Sequence, residues 1–311
     1  MSTLDWVVLF GTLALIATYG IYKTYGPKSL DSYLRGKNSM NWWSIGLSIM
    51  ATQASAITFL STPGQAYEDG MRFIQFYFGL PLAMIIISVV FIPIYYKLKV
   101  YTAYEFLENR FDLKTRTLAA LLFIIQRGLA AGITIYAPAI ILSTLLGWNL
   151  TATNILIGSV VILYTVSGGT EAVSITQKQQ MAVMMGGMIL AGIIVIQMLP
   201  ISFQEAMHVA GKMDKLNRYN VWSGMTAAVF LFLSYFGTDQ SQVQRYLSGQ
   251  TLSQSRMGLI MNGFLKIPMQ FIILFIGVMV FVFYQFFLPP VVFNTVQTDT
   301  LRQSEYAGEF E

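Results

Sequence analysis

Two basic residues stand deep inside apolar runs. Arg127 lies in IIQRGLAAGITIYAPAI and Lys266 in NGFLKIPMQF. A charge at bilayer depth is costly, and one that is kept marks a pathway or a partner. The plainer explanation is snorkelling, in which an apolar stem carries the charge out to the interface. If both face a cavity they favour an anionic solute, and Arg127 could grip a carboxylate bidentately. A third feature is the run Thr52-Gln53-Ala54-Ser55-Ala56, polar and small in the middle of SIGLSIMATQASAITFLSTPGQAY. Lipid offers backbone groups no partner, so irregular backbone survives at that depth only inside protein or along a cavity. Transporters use such breaks to aim freed carbonyls at sodium. Close helix packing on small residues would account for the same composition. The fourth feature is YFGTDQSQVQRYL at 235–247, a polar stretch at the end of an apolar helix.

Other chemistries find little support. There is no cysteine and a single histidine, His208, read as lying in a polar loop. That excludes thiolate zinc sites, thiol nucleophiles and a His-based metal site within one chain. The stretch SGGTEAVSITQKQQ at 167–180 has a glycine pair, Gly168 and Gly169, that permits a tight turn into a helix. It lacks the Gly-Lys-Ser/Thr of a phosphate loop. No paired carboxylates and no nucleophile–base pair stand out, so an enzyme is not expected.

The elements that must position these residues are membrane helices. Of the 311 residues 55% are hydrophobic and 11% charged, and mean hydropathy is +0.59. Soluble domains carry about 25% charged residues, so this chain needs lipid as solvent. The net charge of +4 is spread over loops rather than clustered, which speaks for membrane orientation and against nucleic acid. A span takes about 20 apolar residues, and candidates fall at roughly 5–22, 44–65, 72–96, 116–147, 151–167, 180–200, 222–237 and 257–287. These form one all-α transmembrane domain of about eight helices over 1–311. Asp5 precedes the first apolar stretch and no cleavage site follows it, so the stretch reads as a retained helix rather than a signal peptide. Lys23, Lys28, Arg35 and Lys37, then Lys97, Lys99, Arg110, Lys114 and Arg116, place the first and third loops in the cytoplasm and both termini outside. The Lys212–Arg218 group on the other side is a mild exception. VYTAYEFLENRFDLKTRT reads as a short interfacial helix, and Trp42-Trp43 as an interface anchor. Pro138 and Pro268 should kink their helices.

Three motifs in order, the broken second span, SGGTEAVSITQ and FGTDQSQVQRYLSG, resemble those of the sodium/solute symporter family. That family includes sodium-coupled transporters of sugars, proline, iodide, monocarboxylates and vitamins. YAPAI and FLKIPMQF look closest to its iodide, monocarboxylate and vitamin branch and its bacterial relatives. The likeness implies an inverted-repeat symporter fold with broken helices, binding sodium and a small solute at the bilayer midplane. The 5–22 helix would be extra, 44–200 the first repeat, 222–287 the start of the second, and 288–311 an external tail. It further implies that Ala51, Ala54 and Ser55 hold sodium, that Tyr235 is an inner gate, and that Gln53, Thr58, Tyr77 and Lys266 line the substrate side, with Arg127 added from its depth. Gln177 stands where the family commonly has an acid, which argues against a second sodium there.

A sugar pattern is not reproduced. Relative to a sugar-transporting relative, Tyr77 replaces an acid, Thr58 an amide, Leu80 a hydroxyl and Phe232 an amide. Buried sugar hydroxyls without partners are expensive, so a small organic or inorganic anion is expected. The implied second repeat is incomplete, and the chain reads as an N-terminal fragment of a longer transporter of the bacterial inner membrane. A membrane sensor domain and a non-transporting remnant are the competing readings.

Overall fold

The computed structural model describes residues 40–98, 100, 102–211 and 221–287, with separate residues between 6 and 18. Side chains at 56, 145, 163–172 and 175 are not described. Expectations for the first loop, the 212–218 basic group and the 288–311 tail therefore lie outside the described residues.

Among the described residues the chain is helical and contains no β-strand. The helices are α1 (Trp42–Gln53), α2 (Ala56–Asp69), α3 (Ile74–Tyr77), α4 (Gly79–Ile86), α5 (Ile92–Leu98), α6 (Glu105–Arg110), α7 (Leu113–Leu146), α8 (Leu150–Met198), α9 (Phe203–Gly211), α10 (Val221–Thr238), α11 (Gln240–Leu247) and α12 (Leu252–Phe283). Among the described residues, five helical runs are long and apolar enough to cross a membrane: Ile57–Leu98, Leu113–Thr144, Thr176–Met198, Val221–Thr238 and Leu252–Phe283. Described residues of the predicted first span are helical too, and Trp6 stacks on Trp148 at 5.9 Å.

Local chemistry explains several helix ends. Asn41 accepts from Ser44 N at 3.0 Å to start α1, and Asp112 accepts from Thr115 N at 2.7 Å to start α7. The hydrogen bonds from Thr115 hold the Asp112 carboxyl below its usual range. Gly147 closes α7 at φ +68, a left-handed position that suits glycine. The amphipathic segment forms α6, as expected, and α7 leaves Leu121, Leu122, Ile124, Leu129 and Ile133 exposed for lipid.

Two local expectations need correction. Spans expected at 151–167 and 180–200 belong to one 49-residue helix, α8. Gly168 and Gly169 do not turn the chain. Each glycine costs a helix only about 1 kcal/mol, and the Glu, Ala, Gln, Lys and Met that follow are good helix formers. At 1.5 Å per residue α8 is ~73 Å long, over twice a ~30 Å hydrocarbon core. His208 sits in α9, an amphipathic helix with Ala206 buried, rather than in a loop.

Packing is organised around α12, whose buried face runs from Ser255 and Gly258 through Asn262, Lys266 and Gln270 to Met279 and Val282. It lies parallel to α1 and α2 together: Trp42 N donates to Gln254 Oε1 at 2.6 Å, and Tyr67 meets Phe281 edge-on at 5.5 Å. Glycines permit the approach. A methyl at Gly258 would meet Ile45 Cβ and the Trp42 carbonyl at 2.8 Å, and one at Gly277 would strike the Pro63 carbonyl. The chain before α1 is pinned to the turn after α11, with Met40 N donating to Ser248 O at 3.2 Å and Gln250 N to Met40 O at 3.1 Å.

Candidate functional site

Two helix interruptions face the interior. The first separates α1 from α2. Ala54 ends α1 at φ −86, ψ 78, and its N–H donates to the carbonyls of Ala51 and Met50 at 3.0 and 3.1 Å. Ser55 precedes α2 in extended conformation with no side-chain cap. Thr58 reaches back across the gap, its hydroxyl donating to Gln53 O at 3.0 Å. A carbonyl has two lone pairs, so Ala51 O keeps one for a cation while accepting from Ala54. The expected sodium residues Ala51, Ala54 and Ser55 thus lie together at the break. Thr58 is placed at the same break, bonded to the backbone.

The second interruption separates α10 from α11. The polar stretch that follows Thr238 folds as a helix, α11 (Gln240–Leu247). Asp239 starts it by accepting from Ser241 N at 2.8 Å and Ser241 Oγ at 2.5 Å. Carbonyls at the end of α10 would be orphans. Tyr95 donates to Gly237 O at 2.7 Å and Tyr246 to Phe236 O at 3.1 Å, and both tyrosines are buried.

Between the interruptions lies a cavity of about 300 Å³ lined by Gln53, Phe76, Tyr77, Leu231, Phe232, Tyr235 and Lys266. Four predicted residues, Gln53, Tyr77, Tyr235 and Lys266, therefore share one chamber. Its wall is aromatic, with Phe76 and Phe232 edge-to-face at 5.3 Å and Tyr77 tilted on Phe232 at 6.1 Å. Tyr235 is held by Gln242, whose Nε2 donates to the phenol oxygen at 2.8 Å. The Gln53 amide donates to Asn262 Oδ1 at 3.4 Å. Lys266 is 2% exposed, and among the described residues its Nζ has only the Met269 sulfur, at 3.9 Å, as a partner. A buried charge without a counterion is strongly unfavourable. The arrangement can accept an anion that brings its own negative charge.

Arg127 is not in this chamber. Its guanidinium donates to Ser241 Oγ at 2.6 Å and lies 3.6 Å from Asp239 Oδ2. Asp239 is mostly buried at the start of α11 and draws the cation there. Tyr104 lies beside this pair, and burial pushes its hydroxyl up to about 12, so it stays protonated.

Composition did not single out a polar seam between α1 and α8. Ser48 Oγ donates to Gln177 Oε1 at 2.7 Å, Gln177 Nε2 to Thr52 Oγ1 at 3.0 Å, and Lys178 Nζ to Ser44 Oγ at 2.8 Å. The spacing of Ser44, Ser48 and Thr52 at i, i+4, i+8 carries that signal, because such residues share one helix face. Gln177 thus uses its neutral amide to bridge two hydroxyls of α1. Among the described residues, no group of three or more His, Cys, Asp or Glu could hold a metal ion.

Comparison with known proteins agrees with this geometry. The sodium:solute symporter family profile matches residues 33–307. The Xenopus laevis sodium-coupled monocarboxylate transporter 1 is 34% identical over 273 residues, 83% of this chain and 43% of that protein. The Proteus mirabilis sodium/sialic acid symporter SiaT is 32% identical over 295 residues, 91% of this chain and 59% of that one. The human sodium/iodide cotransporter is 30% identical over 246 residues, 76% and 38% of the two chains. A substrate-bound, outward-open Na+-coupled sialic acid symporter superposes with a TM-score of 0.88 at 30% identity, covering 94% of this chain and 65% of that one. The chain spans about half the length of these curated relatives. From the profile match, the identities and the broken-helix architecture together, the chain belongs to the sodium:solute symporter family.

Proposed function

We propose that this chain supplies the binding elements of a sodium-coupled symporter for a small anion. One observation carries the reading: Lys266, buried and without a carboxylate partner among the described residues, lines an aromatic cavity beside a helix break. Sodium would sit on the Ala51 and Ala54 carbonyls with Ser55. The anion would sit against Gln53, Tyr77 and Lys266, with Tyr235 closing the inner side and Thr58 holding the break. Arg127 is assigned to the α7–α11 contact instead. Ion and solute would stabilise the same formed site, which couples their affinities reciprocally. The 44–200 and 222–287 segments are assigned to two repeats, and the N-terminus to the outside of a bacterial inner membrane. Substrates named for the relatives, monocarboxylate, sialic acid and iodide, are all anionic at neutral pH, which supports the choice over a sugar.

The test is uptake into proteoliposomes under an inward sodium gradient, using labelled propanoate and labelled iodide. Sodium-dependent uptake of either, lost in Lys266→Met, is the expected result. Uptake of a neutral hexose with neither anion transported would end the anion reading.

A further inference from the structure

Asn262 is fully buried on α12, one helical turn before Lys266 and on the same face. Its amide makes two contacts. Nδ2 lies 3.8 Å from the Met84 sulfur, and Oδ1 accepts from Gln53 Nε2 at 3.4 Å. A thioether sulfur can accept but cannot donate, so the amide NH₂ belongs on its side and the amide oxygen on the other. The opposite orientation would set oxygen against sulfur, two acceptors face to face. Met84 is held in place: it is itself fully buried, and a methyl added at Gly263 would meet its Cγ at 2.9 Å. The polarity of Asn262 is therefore fixed by its surroundings.

That polarity passes to Gln53. An oxygen that only accepts obliges Gln53 to turn its NH₂ toward α12. Gln53 Oε1 is then the free end of the amide. It accepts no hydrogen bond among the described residues, and it is not one of the polar atoms sealed without a partner. Gln53 lines the cavity, and its backbone carbonyl is held by the Thr58 hydroxyl at 3.0 Å. The residue is thus fixed at both ends, on the wall of a chamber that also holds Lys266.

Building on the anion reading above, we propose that Asn262 is a positioning residue. By holding the Gln53 NH₂, it makes Gln53 present an acceptor to the cavity's occupant, and so sets a preference for anions that carry a hydroxyl donor. Lys266 answers the negative charge, and the Gln53 oxygen answers the hydroxyl. Asn262 touches neither solute nor sodium and acts through Gln53. An anion with no donor would leave that oxygen desolvated and unpaired.

The experiment measures sodium-dependent binding of labelled propanoate and labelled L-lactate to the native-length protein in proteoliposomes. The two probes differ by one hydroxyl. The parent protein should hold lactate about 5-fold more tightly, the net contribution of one neutral hydrogen bond. Asn262→Leu frees the Gln53 amide to offer either end, and the preference should fall below about 2-fold. Asn262→Ala, which cannot overpack the site, takes its place where the leucine variant does not fold. Gln53→Met should abolish the preference, and adding Asn262→Leu to it should change nothing further. A merely structural Asn262 would weaken both probes alike, leave their ratio unmoved and act equally in the Gln53→Met background. An unmoved ratio in Asn262→Leu, or a parent that binds the two probes equally, overturns the role of Asn262 and leaves the anion reading intact. Absence of any sodium-dependent anion binding overturns both.

Discussion

Arg127 and Asp239 face each other at 3.6 Å where α7 meets the start of α11. Ser241 completes the contact, accepting from the guanidinium while donating to the same carboxylate. The cation thus joins a long lipid-facing helix to the second interruption, away from the cavity. Replacing Arg127 with Met should change propanoate affinity less than 2-fold and lower the melting temperature, with a stability loss of about 1 kcal/mol or more, because the arginine is partly exposed but the Asp239 carboxylate left behind is mostly buried. A titration showing loss of anion binding without loss of stability would return Arg127 to the substrate site.

Thr58 holds the first interruption shut by bonding Gln53 O. Thr58→Val keeps the shape and removes the hydroxyl. Stability should fall by about 1 kcal/mol. Sodium affinity should weaken, because the carbonyls at the break lose their fixed aim. Sodium titration of propanoate binding would register this as a rightward shift at unchanged maximum. An unshifted curve would separate Thr58 from the ion site.

Tyr235 and Gln242 form a pair whose members predict each other's mutants. Tyr235→Phe leaves the Gln242 amide buried without its acceptor, at a cost of about 1–3 kcal/mol. The double variant Tyr235→Phe with Gln242→Leu should recover part of that loss. A double-mutant cycle on melting temperature would read the coupling, and strict additivity would mean that the contact contributes nothing.

Gly277 is packed against the Pro63 carbonyl with no room for a methyl. Gly277→Ala should destabilise by roughly 1–3 kcal/mol through overpacking. Gly186, where a methyl would meet nothing within 4 Å, is the control, and Gly186→Ala should be neutral or slightly stabilising. Equal melting temperatures for the two variants would show that the α2–α12 seam yields.

Much of the architecture was legible in the chain because lipid imposes a simple grammar: long apolar runs, and polar interruptions only where protein covers them. The break at Gln53–Ala56 was visible for that reason, whereas for Lys266 depth alone left burial and snorkelling both open. Depth in a span does not say which face a residue occupies, and Arg127 pairs with Asp239 rather than lining the cavity. Its partner, Asp239, lies 112 positions away, and only the three-dimensional fold brings them together. The division of α8 failed for a different cause. Two glycines resemble a turn signal, but their helical cost is small beside the propensity of the flanking residues.

The parallel run of α12 along both α1 and α2 has a kinematic consequence. Glycine seams at Gly258 and Gly277 bring α12 against Ile45 above the break and against Pro63 below it. At Gly258 and Gly277 the contacts are Ile45 Cβ and the Pro63 backbone, which have no freedom to swing aside, whereas Met261 over Gly46 gives the first seam a flexible side chain. The Gly277 end is therefore the stiffer of the two, and α2 is expected to travel with α12. Any rocking between outward and inward shapes is then displaced to softer boundaries, such as the hydroxyl-and-amide seam of α1 with α8, where hydrogen bonds can be exchanged one at a time.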